Sequence, residues 1–183
     1  MAPFALDPAL HAILRLALAL LFLGASRHKL RDLAGFRGAL AGYAILPERA
    51  TGPAAAGLAA AELGVGVGLL LPGSAFASAV AAAALLSIYS GAIALGLLRG
   101  RRHIDCGCAG PGGGRPLSEG LVARNAVLIA AAALCALPVG TRPLVWIDAV
   151  SAVGGLAALA LLYGAIDVGL ANGARLRELR GRA

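Results

Sequence analysis

"AELGVGVGLLLPGSAFASAVAAAALLSIYSGAIALGLL", residues 61–98, holds a single formally charged side chain, Glu62. Water is a poor solvent for such a stretch. In hydrocarbon, only a helix or a closed barrel satisfies its own backbone, and a helix needs about 20 apolar residues to cross. "LPGS" at 71–74 combines proline and glycine, which break helices and turn chains. The stretch therefore reads as two membrane helices folded back on each other, 53–71 and 75–98. Pro53 suits the first helical turn of the former.

The same reading extends outward. Residues 121–137 form a fourth apolar run, closed by Pro138, and 144–170 a fifth. The first covers 10–25, with Arg15 inside its opening turns. Hydrophobic residues make up 60% of the 183-residue chain and charged residues 14%, at a mean hydropathy of +0.85. A soluble domain carries about a quarter charged residues. The expected fold is all-α, a polytopic integral membrane bundle of about five transmembrane helices forming one domain, 1–183. The N-terminus lacks a basic n-region and is followed by further spans, so it reads as a retained helix rather than a cleaved signal.

Between the first two spans, 26–50 is too charged to cross. Leu30, Leu33, Phe36, Leu40 and Tyr43 recur every three or four positions, so it reads as an amphipathic helix in the interface, with His28 solvated at its start. Five spans place this segment, the loop 99–118 and the basic tail 171–183 on one face. That face gathers Arg27, Lys29, Arg31, Arg37, Arg49, Arg99, Arg101, Arg102, Arg115, Arg175, Arg177, Arg180 and Arg182, while the other has Arg142. The net charge of +7 is thus topological and points to lipid headgroups, not nucleic acid. Gly64 and Gly68, four apart on one face, are expected to let helices approach closely.

Two of the three cysteines break the pattern. Cys135 falls inside the fourth span, where a free thiol packs as a small hydrophobe. Cys106 and Cys108 lie in the polar loop, among arginines that stabilise thiolates. A disulfide across one glycine closes a small, strained ring, and strained exposed disulfides are the labile, catalytic ones. Gly107 grants the backbone angles such a ring needs. The pair reads as a redox dithiol, with His103 or Asp105 able to move the proton. A soft metal such as Cu(I) or Zn(II) on His103, Cys106 and Cys108 is the rival reading, and a scaffold that only docks a partner is a third. No resident cofactor is expected, though a quinone or soft metal stays open.

Ionisable groups within spans are functional candidates because they are costly there. Glu62 lies mid-span and is expected to be neutral and hydrogen-bonded or paired with an arginine. Arg124 and Asn125 open the fourth span. Asp148 and Asp167, near opposite ends of the fifth, are expected to reach water. Tyr89, Ser87 and Ser90 form a polar notch in the third span that suits a partner or a quinone.

Several stretches resemble one known family. "ASRHKLRDLAGFRGALAGYAILP" (25–47), "AAAELGVGVGLLLPG" (59–73), "IDCGCAGP" (104–111) and "LVARNAVLIAAAAL" (121–134) are similar to methylamine utilisation protein MauE, within the DoxX-like redox-associated membrane proteins. The resemblance implies a bundle of four or five spans in a bacterial inner membrane. It also implies a role in maturing an exported, disulfide-containing partner, the small subunit of methylamine dehydrogenase, with a thioredoxin-like helper. Cys106 and Cys108 would be the redox pair; Glu62, Arg124 and Asn125 match the pattern without an assigned role. On sidedness the two lines diverge, since the basic face belongs in the cytoplasm and the implied substrate is exported.

Overall fold

The computed structural model describes residues 5–101, Ile104 and residues 117–180. Within them the chain is helical: α1 (Pro8–Arg31), α2 (Leu33–Gly42), α3 (Glu48–Leu70), α4 (Ala75–Leu98), α5 (Glu119–Cys135) and α6 (Trp146–Arg180). No strand occurs among these residues; an isolated bridge joins Leu6 to Val139. The helical membrane bundle read from the apolar runs is the observed architecture.

Among the described residues four helices are, by length and composition, long and apolar enough to cross a membrane: Pro8–Arg31, Glu48–Leu70, Pro72–Leu98 (with a single 3-10 turn at its start) and Trp146–Leu170. At 17 residues α5 is shorter, about 26 Å at 1.5 Å per residue. It nevertheless runs the depth of the bundle. Leu117, just before it, packs with Tyr43 and Ile93, and its last residue, Cys135, accepts a hydrogen bond through its carbonyl from Nε2 of His11 near the start of α1, at 3.2 Å.

Helix boundaries depart from the apolar runs where local chemistry overrides hydropathy. α1 starts at Pro8 because Asp7 caps it, its Oδ1 accepting from the amides of Ala9 and Leu10. It runs past Ala25 to Arg31, so the charged residues 26–31 continue the first span. Segment 26–50 is therefore not one interfacial helix. Asp32 leaves helical geometry (φ −136°, ψ 67°) and caps α2 by accepting from the amide of Gly35. α2 buries none of its residues, although Tyr43 just beyond it is buried. α3 begins at Glu48, more than a turn ahead of Pro53. α6 continues to Arg180, through residues read as a tail; arginine, leucine and glutamate are good helix formers.

α1 lies against α3 and α4 against α5, with α3 joining the two pairs and α6 outermost on α1. The larger core unites Leu18, Ala19 and Phe22 of α1 with Val65 and Leu69 of α3, four residues of α4, and Ala132 and Cys135 of α5. Close approach falls on Gly66 and Gly68. A Cβ on Gly66 would stand 2.8 Å from Leu23 Cγ and 3.1 Å from its backbone nitrogen, and one on Gly68 would overlap the Ser78 hydroxyl. Gly64 faces open space, so only half of the expected glycine pair packs.

Candidate functional site

The helix periodicity of α1 carries a charge into the interior. Leu18, Phe22, Ser26 and Lys29 are all buried and fall three or four positions apart, on one face. Lys29 is 4% exposed and forms an ion pair with Oε1 of Glu62, itself 1% exposed, on α3. Tyr89 of α4 donates to the same oxygen at 2.8 Å, and the Lys29 ammonium donates to the Tyr89 oxygen at 3.3 Å. The rings of Phe36 and Tyr89 flank that ammonium with centroids at 4.7 and 4.6 Å. Glu62 Oε2 is buried and accepts no hydrogen bond from the described residues. The expected arginine partner is thus a lysine, and the signal that reveals it is the period running Leu18, Phe22, Ser26, Lys29.

Of the polar notch on α4, Tyr89 belongs to this cluster. Ser87 and Ser90 instead donate to carbonyls of their own helix, Ala83 and Leu86, each at 2.8 Å.

A second buried cluster joins α5 to α6. Arg124 Nη1 donates to Asp167 Oδ1 at 3.0 Å, its Nη2 to Asn125 Oδ1 at 3.4 Å, and its guanidinium lies 5.4 Å from the Tyr163 ring centroid. Asp167 is therefore held by Arg124 rather than left to water. Asp148 is also paired. Arg142 grips it through both terminal nitrogens, at 2.8 and 2.9 Å, and reaches Asp7 at 3.0 and 3.1 Å. This clamp ties the start of α1 to the start of α6 on the face opposite the basic one. Arg142 holds the Asp7 carboxyl below its ordinary 3.8. Cys135 is a buried free thiol packed in the larger core, where its size suits the alanine-rich surroundings.

Cys106, Cys108, His103 and Asp105 lie outside the described residues. Both flanks of their segment are described, and both meet one turn at the end of α2. Before the segment, Arg101 Nη1 donates to the Gly42 carbonyl at 3.0 Å and Arg99 Nη1 to the Ala44 carbonyl at 3.4 Å. Ile104 rests on Gly42, where a Cβ would stand 2.9 Å from its Cγ2. After the segment, Leu117 packs with Tyr43, Ile93 and Leu121, and Ile104 joins the same cluster. Ala44 sits at φ +47°, a left-handed backbone that a side chain disfavours by about 1–2 kcal/mol. Surrounding contacts must hold such a residue in place. Hydropathy gave no hint of this seat, because the turn joins residues more than fifty apart in sequence.

Among the described residues no group of three or more histidine, cysteine or acidic side chains is placed to hold a metal. The alternative ligand set His103, Cys106 and Cys108 falls in the undescribed segment.

The family model of methylamine utilisation protein MauE matches residues 7–138. The chain is 44% identical to the methylamine utilization protein MauE of Paracoccus denitrificans over 132 residues, 72% of this chain and 71% of the relative. It is 38% identical to that of Methylorubrum extorquens over 177 residues, 94% of this chain and 95% of the relative. It is 34% identical to that of Methylophilus methylotrophus over 168 residues, 88% and 86% respectively. No solved structure matches.

Proposed function

The chain belongs to the MauE family of methylamine utilisation proteins, and from that premise we propose a membrane-embedded thiol–disulfide redox protein working through Cys106 and Cys108. The observation that carries the reading is a Cys-Gly-Cys pair in a basic segment whose two flanks converge on the turn Gly42–Ala44. A catalytic dithiol must meet a partner protein, so its segment has to be accessible yet tied to a rigid support.

One cysteine, as thiolate, attacks a sulfur of the partner's disulfide. That S–S bond breaks, a mixed disulfide forms, and the departing sulfur takes up a proton. The second cysteine loses its proton and attacks the mixed disulfide. This frees the partner's other thiol and leaves Cys106 bonded to Cys108. Two electrons pass to the partner, and a thioredoxin-like dithiol returns them to the chain. The same steps run backwards when the partner arrives reduced. The arginines around the pair favour thiolate; His103 and Asp105 are placed by sequence to exchange its proton. The partner implied by family membership is an exported protein carrying disulfides, which the dithiol would help to mature.

Trapping tests this reading. Cys106→Ser and Cys108→Ser variants, expressed in a methylamine-grown host, should insert into the membrane normally. Removing the resolving cysteine should leave a covalent, reductant-sensitive complex between the other cysteine and a partner. If neither single variant traps a protein, the redox reading fails.

A further inference from the structure

Between α2 and the first turns of α3 runs a groove of about 540 Å³, lined by Leu33, Ala34, Arg37, Gly38 and Ala41 from one side and Glu48, Thr51 and Gly52 from the other. Half of the residues that line it are glycine or alanine. Its walls are apolar, but it carries one charge of each sign. Arg37 and Glu48 are both exposed, and neither makes a hydrogen bond or ion pair through its side chain, with each other or with any described residue. The Arg37 stem passes over Gly52, where a Cβ would stand 3.9 Å from Cδ. Glu48 occupies the first turn of α3, where negative charge is favoured.

The groove opens on the basic face, at the end of a candidate membrane span and beside a helix that buries none of its own residues. Lipid is the solvent at that boundary. From this placement we propose that the groove is a binding site for a zwitterionic aminophospholipid. Its acyl chain lies against Leu33, Ala34, Gly38, Ala41 and Gly52, its phosphate meets Arg37 and its primary ammonium meets Glu48. Guanidinium is the side chain best matched to a phosphate, through paired parallel hydrogen bonds. A carboxylate accepts hydrogen bonds from a primary ammonium but receives none from a quaternary one. The surrounding arginines attract anionic lipid to the face as a whole, but the groove itself is balanced. That balance selects the zwitterion.

The glycine at the groove's rim supplies the control. A Cβ on Gly38 meets nothing within 4 Å, so Gly38→Leu starts a bulky side chain from open space at the groove, and leucine improves helix propensity. The full chain is reconstituted in nanodiscs of equimolar phosphatidylethanolamine, phosphatidylglycerol and phosphatidylcholine, then released for native mass spectrometry. One phosphatidylethanolamine per chain should be retained, at tenfold or greater preference over the other two. Arg37→Ala and Glu48→Gln should each lower that occupancy tenfold or more. Gly38→Leu should abolish it while the unfolding temperature stays equal or rises. Equal or greater retention of phosphatidylglycerol overturns the proposal in favour of a purely anionic site. Equal retention of phosphatidylcholine removes the role of Glu48. No retention, or retention untouched by Gly38→Leu, removes the groove.

Discussion

Replacing Lys29 by methionine removes the cation of the buried cluster and leaves Glu62, among the described residues, with the Tyr89 hydroxyl alone as hydrogen-bond donor. Removing one partner of a buried pair costs about 3–5 kcal/mol, because the other charge stays uncompensated. In a chain of this size, each kcal/mol moves the unfolding temperature by about 2–4 °C, so the expected loss is on the order of 6–20 °C. Glu62→Leu should cost less. Lys29 would keep two aromatic faces, at 4.7 and 4.6 Å, and the Tyr89 oxygen; cation–π contacts contribute about 0.5–2 kcal/mol. The double variant Lys29→Met/Glu62→Leu fills the same space with apolar groups and has no charge to desolvate. It should recover to near the parent or exceed it by about 1–4 kcal/mol. Thermal unfolding of the four proteins in lipid nanodiscs forms a double-mutant cycle. If the two single losses simply add in the double variant, or both stay under about 0.5 kcal/mol, the buried-pair account is refuted.

Further outcomes follow from the same geometry. Gly66→Ala should cost about 1–3 kcal/mol by overpacking against the Leu23 backbone, whereas Gly64→Ala should be neutral or gain up to about 1 kcal/mol; equal effects in the same unfolding assay would contradict the α1–α3 contact. The Asp7 carboxyl is depressed by Arg142, so its ionised form stabilises the fold above pH 3.8 and that contribution vanishes as pH falls through the lower folded value. Arg142→Ala should therefore be less stable than the parent near neutrality, with the gap narrowing on acidification below 3.8, and a pH-independent gap would rule out the clamp. Finally, the basic face should be cytoplasmic. An impermeant thiol reagent should then miss Cys106 and Cys108 in intact spheroplasts and label them in inverted vesicles after reduction; labelling from outside would reverse the orientation.

Hydropathy was enough to read the bundle, because runs such as 61–98 leave lipid as the only solvent that suits them. It misplaced the end of α1 for a physical reason. The charge of 26–50 reads as too high to cross, yet Lys29 is buried, since Glu62, the Tyr89 hydroxyl and the rings of Phe36 and Tyr89 replace its water. The cost of Glu62 in mid-span is legible, and the period running Leu18, Phe22, Ser26 and Lys29 marks the lysine as inward-facing, but only the fold joins the two across 33 residues. Asp167 is illegible for the same reason, as Arg124 lies 43 residues before it on another helix. Gly66 escaped notice because spacing alone does not say which of three alternating glycines faces the neighbour. The turn Gly42–Ala44 is the least legible feature. It draws its meaning from Arg101, Ile104 and Leu117, which only the fold brings to it.

As a redox dithiol, Cys106 and Cys108 should form one reversible two-electron couple. The purified chain, equilibrated against a graded thioredoxin dithiol–disulfide buffer and quenched with an alkylating reagent, tests it most directly by mass mapping of the modified cysteines. Cys106 and Cys108 should lose reactivity together along a single two-electron curve, with Cys135 reactive only on unfolding and no curve in the Cys106→Ser/Cys108→Ser variant. Two thiols that stay alkylatable at every potential, or that are protected by a stoichiometric bound metal, would contradict it.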